Sequence, residues 1–244
     1  MSAYDALAPW YDELTRDVDY GRFADFYEAL FRADGGEFRL LLDLCCGTGT
    51  LALLMASRGY DMIAADASEE MLMSAREKAY ASGGPAPLFI CQRAGELDLY
   101  GTVDAAYSSL DSLSYVPFEE LRECFRRLRL FIRPGGLFVF DLRTPEFLRS
   151  MDGSVSVDET DDVFCLWRGR FDAAAGALRY GMDIFEREEG DLYLRSNEEH
   201  TEYAHEPELV MAELGRQGFE DVRVCPEGPM SGPGRVFIVC RRGA

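Results

Sequence analysis

Lysine and histidine are scarce in this chain of 244 residues, which has one lysine, Lys78, and two histidines. A Schiff-base mechanism would therefore have a single candidate, and codon bias explains the missing lysines more simply. The seven cysteines are an odd number and show no C-x-x-C spacing. We expect neither a disulfide framework nor a zinc site, and no other metal site is predicted.

Positive charge is also in short supply, because 25 Lys and Arg face 44 Asp and Glu, a net charge of −19. Affinity for nucleic acids comes mainly from Lys and Arg that displace counterions from phosphates. The charge therefore disfavours nonspecific binding to nucleic acid and docking on anionic membranes. No window approaches the ~18 apolar residues of a membrane span, and the first residues lack the pattern of a signal peptide. We expect a cytoplasmic protein with reduced thiols.

Short apolar runs alternate with helical patterns over most of the chain. The runs predict strands at 39–46, 60–65, 88–91, 103–107, 137–142, 222–225 and 236–240. The helical patterns predict two helices within 4–33, and further helices at 51–57, 71–81, 119–130 and 207–217. This alternation is typical of an α/β fold. We predict a doubly wound, Rossmann-like sheet of seven strands, of which the last is antiparallel.

Residues 151–205 depart from the alternation. Side chains from Leu178 to Ile184 alternate between apolar and polar, which is the period of a strand with one buried face. Turn signals divide the segment into about three antiparallel strands, and it holds 14 acidic and 5 basic residues. We predict an inserted antiparallel sheet, forming a lid and substrate subdomain, on a cofactor-binding domain made of residues 1–150 and 206–244.

Two glycines, Gly47 and Gly49, stand between a predicted buried strand and a helix. Glycine lets the backbone approach a ligand there, and the helix N-terminus points free N–H groups at it. The segment GTGTLA at 47–52 also satisfies the G-x-G-x-x-G/A pattern of dinucleotide binding. Asp66, 17 positions beyond Gly49, could accept the ribose hydroxyls of a dinucleotide or of an adenosyl cofactor, or could instead cap the next helix.

A carboxylate, Asp43, lies inside the strand that leads to this turn. Its burial is costly unless a ligand ammonium group or the loop amides meet it. Three segments, the first of which begins with Asp43, closely resemble the class I S-adenosylmethionine-dependent methyltransferases. They are DLCCGTGTLALLMASRGYDMIAADASEEMLMSAREKA, SSLDSLSYV and IRPGGLFVFDL. YDALAPWYDELTRDVDY and EEHTEYAHEPELVMAELGRQGFEDVRV resemble, more narrowly, a small bacterial group of these enzymes with an inserted lid sheet. The implied cofactor is S-adenosylmethionine.

The resemblance implies a cofactor site built from the turns that follow the strands. It places Asp43, Cys45, Gly47 and Gly49 around the methionine part, Asp66 at the ribose, Ala67 and Met71 at the adenine, Ser109 and Leu110 under the sulfonium, and Tyr11 and Tyr20 over the carboxylate. The helical spacing of the two tyrosines also fits a place in the core. Relatives often carry an acidic residue that meets the adenine amino group, where this sequence has Gln92-Arg93-Ala94. We expect Gln92 or a backbone carbonyl beside Ala94 to make that contact.

Candidate groups for the acceptor side come from two segments. Methyl transfer from a sulfonium is an in-line displacement that needs a nucleophile held roughly 3 Å from the methyl carbon, and a base is optional. The candidate bases are His200, its neighbours Glu199 and His205, and Asp111 beside the cofactor, while Tyr115 could orient an acceptor. Packing within the sheet is the plainer interpretation of His200.

The expected acceptor is a small molecule admitted under the acidic inserted sheet, whose charge favours a cationic or neutral acceptor over a phosphorylated one. An NAD-dependent oxidoreductase could use the same glycine turn, but Asp43 and the missing Tyr-x-x-x-Lys motif argue against it. A noncatalytic S-adenosylmethionine-binding protein is a third hypothesis. Because edge strands need covering, a homodimer through the inserted sheet is also expected.

Overall fold

Two β-sheets and seven helices make up the computed structural model, which describes residues 4, 6–188, 190, 192–230 and 232–244. The helices are α1 Tyr11–Leu14, α2 Tyr20–Asp34, α3 Thr50–Ser57, α4 Glu69–Ser82, α5 Phe118–Phe131, α6 Pro145–Ser150 and α7 Pro207–Arg216. The strands are β1 Leu40–Leu44, β2 Asp61–Asp66, β3 Leu88–Cys91, β4 Val103–Ser108, β5 Ile132–Arg143, β6 Val155–Glu159, β7 Val163–Asp172, β8 Ala177–Arg187, β9 Tyr193–Tyr203, β10 Phe219–Cys225 and β11 Arg235–Arg242. No helix in the described part of the chain has both the length and the apolar character needed to cross a bilayer.

The larger sheet has seven strands in the order β10, β11, β5, β4, β1, β2, β3. Strand β1 pairs in parallel with β2 and β4, and the pairs β2–β3 and β4–β5 are parallel as well. Strand β11 runs antiparallel to both of its neighbours, β5 and β10. The predicted α/β sheet of seven strands with an antiparallel last strand is therefore confirmed.

Helices cover both faces of this sheet, as the apolar character of β1 predicts. Successive side chains of a strand point to opposite faces. Leu41 belongs to the core that contains Phe23 of α2 and Met55 of α3, whereas Leu42 belongs to the core that contains Phe125 of α5. Function must therefore be sought at the ends of the strands, because both faces are filled.

The second sheet has four antiparallel strands in the order β6, β7, β8, β9, where the sequence predicted about three. The extra strand, β6, is a short edge strand whose Val155 and Val157 are exposed, so it lacks the one-sided burial used for the prediction. The four strands lie within the segment predicted as an insertion. The domain boundaries at 150 and 206 stay a prediction.

The N-terminal residues reach the second sheet. Leu7 and Leu14 share a buried cluster with Val163 of β7 and Met182 of β8. The chain then enters α2, where the Asp19 carboxylate accepts the N–H of Arg22 at 3.1 Å and caps the helix. The predicted break near Asp19 is thus present, and it lets the N-terminal residues lie between the two sheets.

Candidate active site

A cavity of about 500 Å³ lies where β1, β2 and β4 end, the edge at which open α/β sheets bind ligands. The turns after these strands, the N-terminal residues and strand β9 form its walls. The predicted cofactor residues that line it are Tyr11, Tyr20, Asp43, Cys45, Gly47, Asp66, Ala67, Met71, Ala94, Ser109 and Leu110. The structure thus brings together residues that are far apart in the sequence, from Tyr4 to Tyr203.

The glycine turn after β1 has two glycines with different surroundings. Both have positive φ, +54° at Gly47 and +71° at Gly49. A Cβ at Gly47 would meet open space, whereas one at Gly49 would lie 3.0 Å from Ala75 Cβ and from the ring of Phe89. Gly49 does not line the cavity, so its expected place around the cofactor is revised to a packing role at the start of α3.

Asp66 ends β2 and ties the glycine turn to α4. Its Oδ2 accepts the N–H of Gly47 at 2.8 Å, and its Oδ1 accepts the N–H of Ser68 at 2.9 Å. Burial raises the pKa of Asp66. Burial also raises the pKa of Asp43 well above its ordinary value, and the charge of Asp66 acts in the same direction. Buried Asp43 and half-buried Asp66 face one cavity, and these carboxylates favour a ligand that brings positive charge and hydroxyl donors.

The adenine contact expected of Gln92 finds no support in the structure. Its side-chain amide donates to the carbonyl of Asp98 at 3.2 Å, and its oxygen accepts the N–H of Asp98 at 2.9 Å. Both ends of the amide are occupied, and Gln92 does not line the cavity, whereas Ala94 does. The second alternative, a backbone group beside Ala94, is the one compatible with this arrangement.

His200 faces the cavity from β9 and is 3% exposed. Its Nε2 lies 2.9 Å from Oε2 of Glu198, and its ring lies 4.3 Å from that of Tyr4 between centroids. Burial acts to raise the pKa of Glu198. Its hydrogen bonds, of which the one to His200 has the largest effect, outweigh burial and lower the pKa. An ionised Glu198 accepts a hydrogen bond from the Nε2–H group of His200. In that tautomer Nδ1 carries no proton and can act as the base.

Tyr115 stands beside His200 in the cavity wall and is bonded to a second carboxylate, Glu202. Its hydroxyl donates to Oε1 of Glu202 at 3.1 Å, while Oε2 has no partner among the described residues. Burial, together with the charge of Asp111, raises the pKa of Glu202 to about 8. Sequence reasoning missed Glu202, although positions 198, 200 and 202 alternate along one strand and so share a face.

Two of the candidate bases point elsewhere. The Asp111 carboxylate pairs with Arg235 and, at 3.3 Å, with Arg143, and it does not line the cavity. His205 Nε2 lies 2.9 Å from the carbonyl of Val116, burial lowers its pKa, and it too lies outside the cavity lining. Asp111 is therefore revised from a base to an ion-pairing group.

Other residues line the cavity although sequence reasoning did not name them as site residues. Polar examples are Tyr4, Thr48, Thr50, Arg93, Glu120, Thr201 and Tyr203. The signal for Thr201 and Tyr203 was their proximity to His200. The only signal for Tyr4 was its place at the start of the segment YDALAPWYDELTRDVDY, which resembles the bacterial group. Among the described residues, no group of three or more His, Cys, Asp or Glu is arranged to hold a metal ion.

Comparisons with known proteins agree with this geometry. A family model described as a methyltransferase domain matches residues 41–136. A protein of Geobacillus sp. (strain WCH70) named as a methyltransferase is 26% identical over 98% of this chain and 99% of its own length. The crystal structure of an S-adenosylmethionine-dependent methyltransferase from Clostridium acetobutylicum ATCC 824 is 27% identical, with a TM-score of 0.85 and full coverage of both chains.

A further likeness concerns the fold alone. The sugar N-methyltransferase KedS8 from Streptoalloteichus sp. ATCC 53650 is 21% identical, with a TM-score of 0.78 over 100% of this chain and 94% of its own. Asp43 in the cavity wall and the two relatives from Geobacillus and Clostridium favour S-adenosylmethionine over NAD as the cofactor. Together, the domain match and the full-length relatives support a class I S-adenosylmethionine-dependent methyltransferase.

Proposed function

We propose that the protein transfers the methyl group of S-adenosylmethionine to a small-molecule acceptor by in-line displacement. The observation that carries the proposal is one continuous cavity whose wall includes both the glycine turn and the His200 face of β9. Its volume of about 500 Å³ lies within the ~300–1,000 Å³ of small-molecule sites. A donor and an acceptor can therefore meet inside it without a macromolecular partner.

The cofactor half of the cavity fits the expected cofactor in its chemistry. Buried Asp43 would meet the ammonium group, and Asp66 would accept the ribose hydroxyls. The open space above Gly47 admits a ligand close to the backbone. When bound, the cofactor supplies a methyl group on a sulfonium sulfur. The residues of this half bind and orient it, and supply no covalent step.

The acceptor half would hold the nucleophile and take its proton. His200, oriented by Glu198, can accept a proton at Nδ1 from an amine or hydroxyl. Tyr115 keeps its proton because burial raises its pKa well above the ordinary value, so its hydroxyl orients the acceptor by hydrogen bonding. The acceptor atom would bond to the methyl carbon as that carbon's bond to sulfur breaks, and His200 would take the acceptor proton and pass it to solvent.

The relatives support a small molecule only as a class. KedS8 acts on a sugar nitrogen by its name, and another structure of this fold, 20% identical, is called an amino pentose methyltransferase. The carboxylates Asp43, Asp66, Glu120 and Glu199 in the lining favour a neutral or cationic acceptor. The absence of nucleic-acid partners, the homodimer and the cytoplasmic location stay predictions.

Asp66→Ala should weaken the binding of S-adenosylhomocysteine by on the order of 10-fold or more, because a charge-assisted interaction with the ribose is lost. Titration calorimetry measures the affinity. Asp61→Ala is the matched control, since Asp61 begins the same strand, is exposed, and pairs with Arg39 at 2.9 Å. Affinity equal to that of the wild type in a folded Asp66→Ala variant would remove Asp66 from the site.

His200→Gln should lower methyl transfer by roughly 100-fold while leaving the affinity for S-adenosylhomocysteine unchanged, because the variant loses only the base. The assay follows methyl-labelled S-adenosylmethionine with fractions of a metabolite extract and scores label in small molecules. His205→Gln is the control, as His205 lies outside the cavity lining. Label in no small-molecule fraction, or only in protein, would overturn the proposed acceptor class.

A further inference from the structure

The N-terminal segment, residues 4–20, bridges the two sheets; residue 5 lies outside the described residues. On the side of the second sheet, Glu198 Oε1 accepts the N–H of Leu7 at 3.2 Å and that of Ala6 as well. Arg16 pairs with Asp158 of β6 at 3.2 Å. Through Tyr4, Tyr11 and Tyr20 the same segment forms part of the cavity wall.

On the cofactor side, Asp12 makes a compact set of contacts. Its Oδ1 accepts the hydroxyl of Thr48 at 2.6 Å and that of Thr50 at 3.2 Å. Its Oδ2 lies 2.5 Å from Nζ of Lys78, the only lysine of the chain, which also donates to Thr50 Oγ1 at 2.6 Å. Asp12 therefore joins α1 to the glycine turn and to α4.

We propose that Asp12, Thr48 and Lys78 form a latch that keeps the N-terminal segment closed over the cofactor and slows its release. The inference rests on one part of the proposed function, namely that the cofactor binds beside Gly47. Thr48 follows Gly47 directly, and Asp12 follows Tyr11, so each side of the latch adjoins a residue of the cavity wall. Opening the latch would move that wall away from the ligand.

The three residues have different roles in this latch. Thr48 is buried and presents its hydroxyl from the turn itself. Burial lowers the pKa of Lys78, and the hydrogen bond and charge of Asp12 oppose that effect. Lys78 contacts the N-terminal segment through the Asp12 carboxylate, which makes Lys78 a positioning residue. Asp12 is the centre of the latch because it contacts every other member.

The test is a chase of labelled S-adenosylhomocysteine from the full chain by an excess of unlabelled ligand. Asp12→Asn should release the ligand on the order of 10-fold faster than the wild type. Lys78→Met should have a smaller effect, and the double variant should be no faster than Asp12→Asn alone, since Lys78 acts through Asp12. Added salt should speed release from the wild type more than from Asp12→Asn, because the ion pair is partly exposed.

Further variants separate a latch from a general loss of structure. Thr48→Val should speed release, whereas Thr48→Ser keeps the hydroxyl and should restore the wild-type rate. Asp17→Asn, which changes an exposed carboxylate of the same segment, should leave the rate unchanged. Equal release rates for Asp12→Asn, Thr48→Val and the wild type, with ligand bound by all three, would overturn the latch. The proposed function fails separately, if the wild type does not bind this ligand or transfers no methyl group.

Discussion

Replacing Arg235 with methionine should lower the free energy of unfolding by about 3–5 kcal/mol. Arg235 is 6% exposed at the start of β11, and its guanidinium pairs with both Asp111 and Asp141. Burial raises the pKa of Asp141 to about 6 even though Arg235 opposes it. Without the cation, two buried carboxylates lose their shared partner, and this penalty is the source of the loss.

Urea unfolding at neutral pH measures the change. Arg223→Met is the matched control: Arg223 lies on the neighbouring strand β10 and is exposed, so its replacement should stay within about 0.5 kcal/mol. The loss in Arg235→Met should shrink at acidic pH, where the carboxyl groups can be protonated and need no cation. A loss below about 1 kcal/mol at neutral pH would show that the pairs contribute little.

This buried network also shapes the cavity wall. The turn after β4 places Leu110 and Asp111 at φ of +56° and +52°, a conformation that ordinary residues adopt rarely. The N–H of Asp111 donates to Asp141 Oδ2 at 2.9 Å, and its carboxylate is held by Arg235. Asp111 thereby fixes the turn that presents Leu110 to the cavity, while its own carboxylate pairs with Arg235 and Arg143.

The regular elements of the large sheet could be predicted because their signals are local. At the start of α4, Ser68 followed by Glu69 and Glu70 is typical of a helix N-terminus, and the Ser68 hydroxyl accepts the N–H of Met71 at 3.1 Å. Helix α6 was not predicted, although Thr144 followed by Pro145 is typical of a helix N-terminus. The Thr144 hydroxyl caps the helix by accepting the N–H of Phe147. Six residues are too few for the apolar periodicity on which the prediction relied.

The site could be predicted only in its cofactor half. Gly47 and Asp66 follow consecutive parallel strands, whose ends must meet at one edge of the sheet. The place of Tyr4 depends on how the second sheet packs against the first, and no local pattern encodes that packing. The partner of Asp111 is Arg235, from the far end of the chain, and only the antiparallel return of β11 beside β5 brings them together.

Glu202 is a buried carboxyl group whose titration should affect the stability of the fold. It faces charged or titratable side chains from several elements: Tyr115 by a hydrogen bond, and Asp111, Arg143, Arg235, Tyr4 and Tyr180 by proximity. Burial, the largest cause, raises its pKa to about 8 in the folded protein, against about 4.3 for an unperturbed glutamate. The folded state therefore holds a proton that the unfolded state releases between these values.

The wild type should consequently lose stability as pH rises from about 4.3 to about 8, and Glu202→Gln should not show this loss. The protonated Glu202 stabilises the fold fully below that window and not above it, so the advantage of the variant should grow to on the order of 4 kcal/mol at pH 8 and then level off. Urea unfolding of both proteins from pH 4 to 9 measures the difference between their free energies of unfolding. Contributions from the other titrating groups cancel in this difference.

In Tyr115→Phe the pH range over which stability is lost should extend to higher pH, because the lost hydrogen bond favoured the ionised carboxylate. Parallel stability curves for the wild type and Glu202→Gln would show that Glu202 has the same pKa in the folded and unfolded states, which would contradict the prediction.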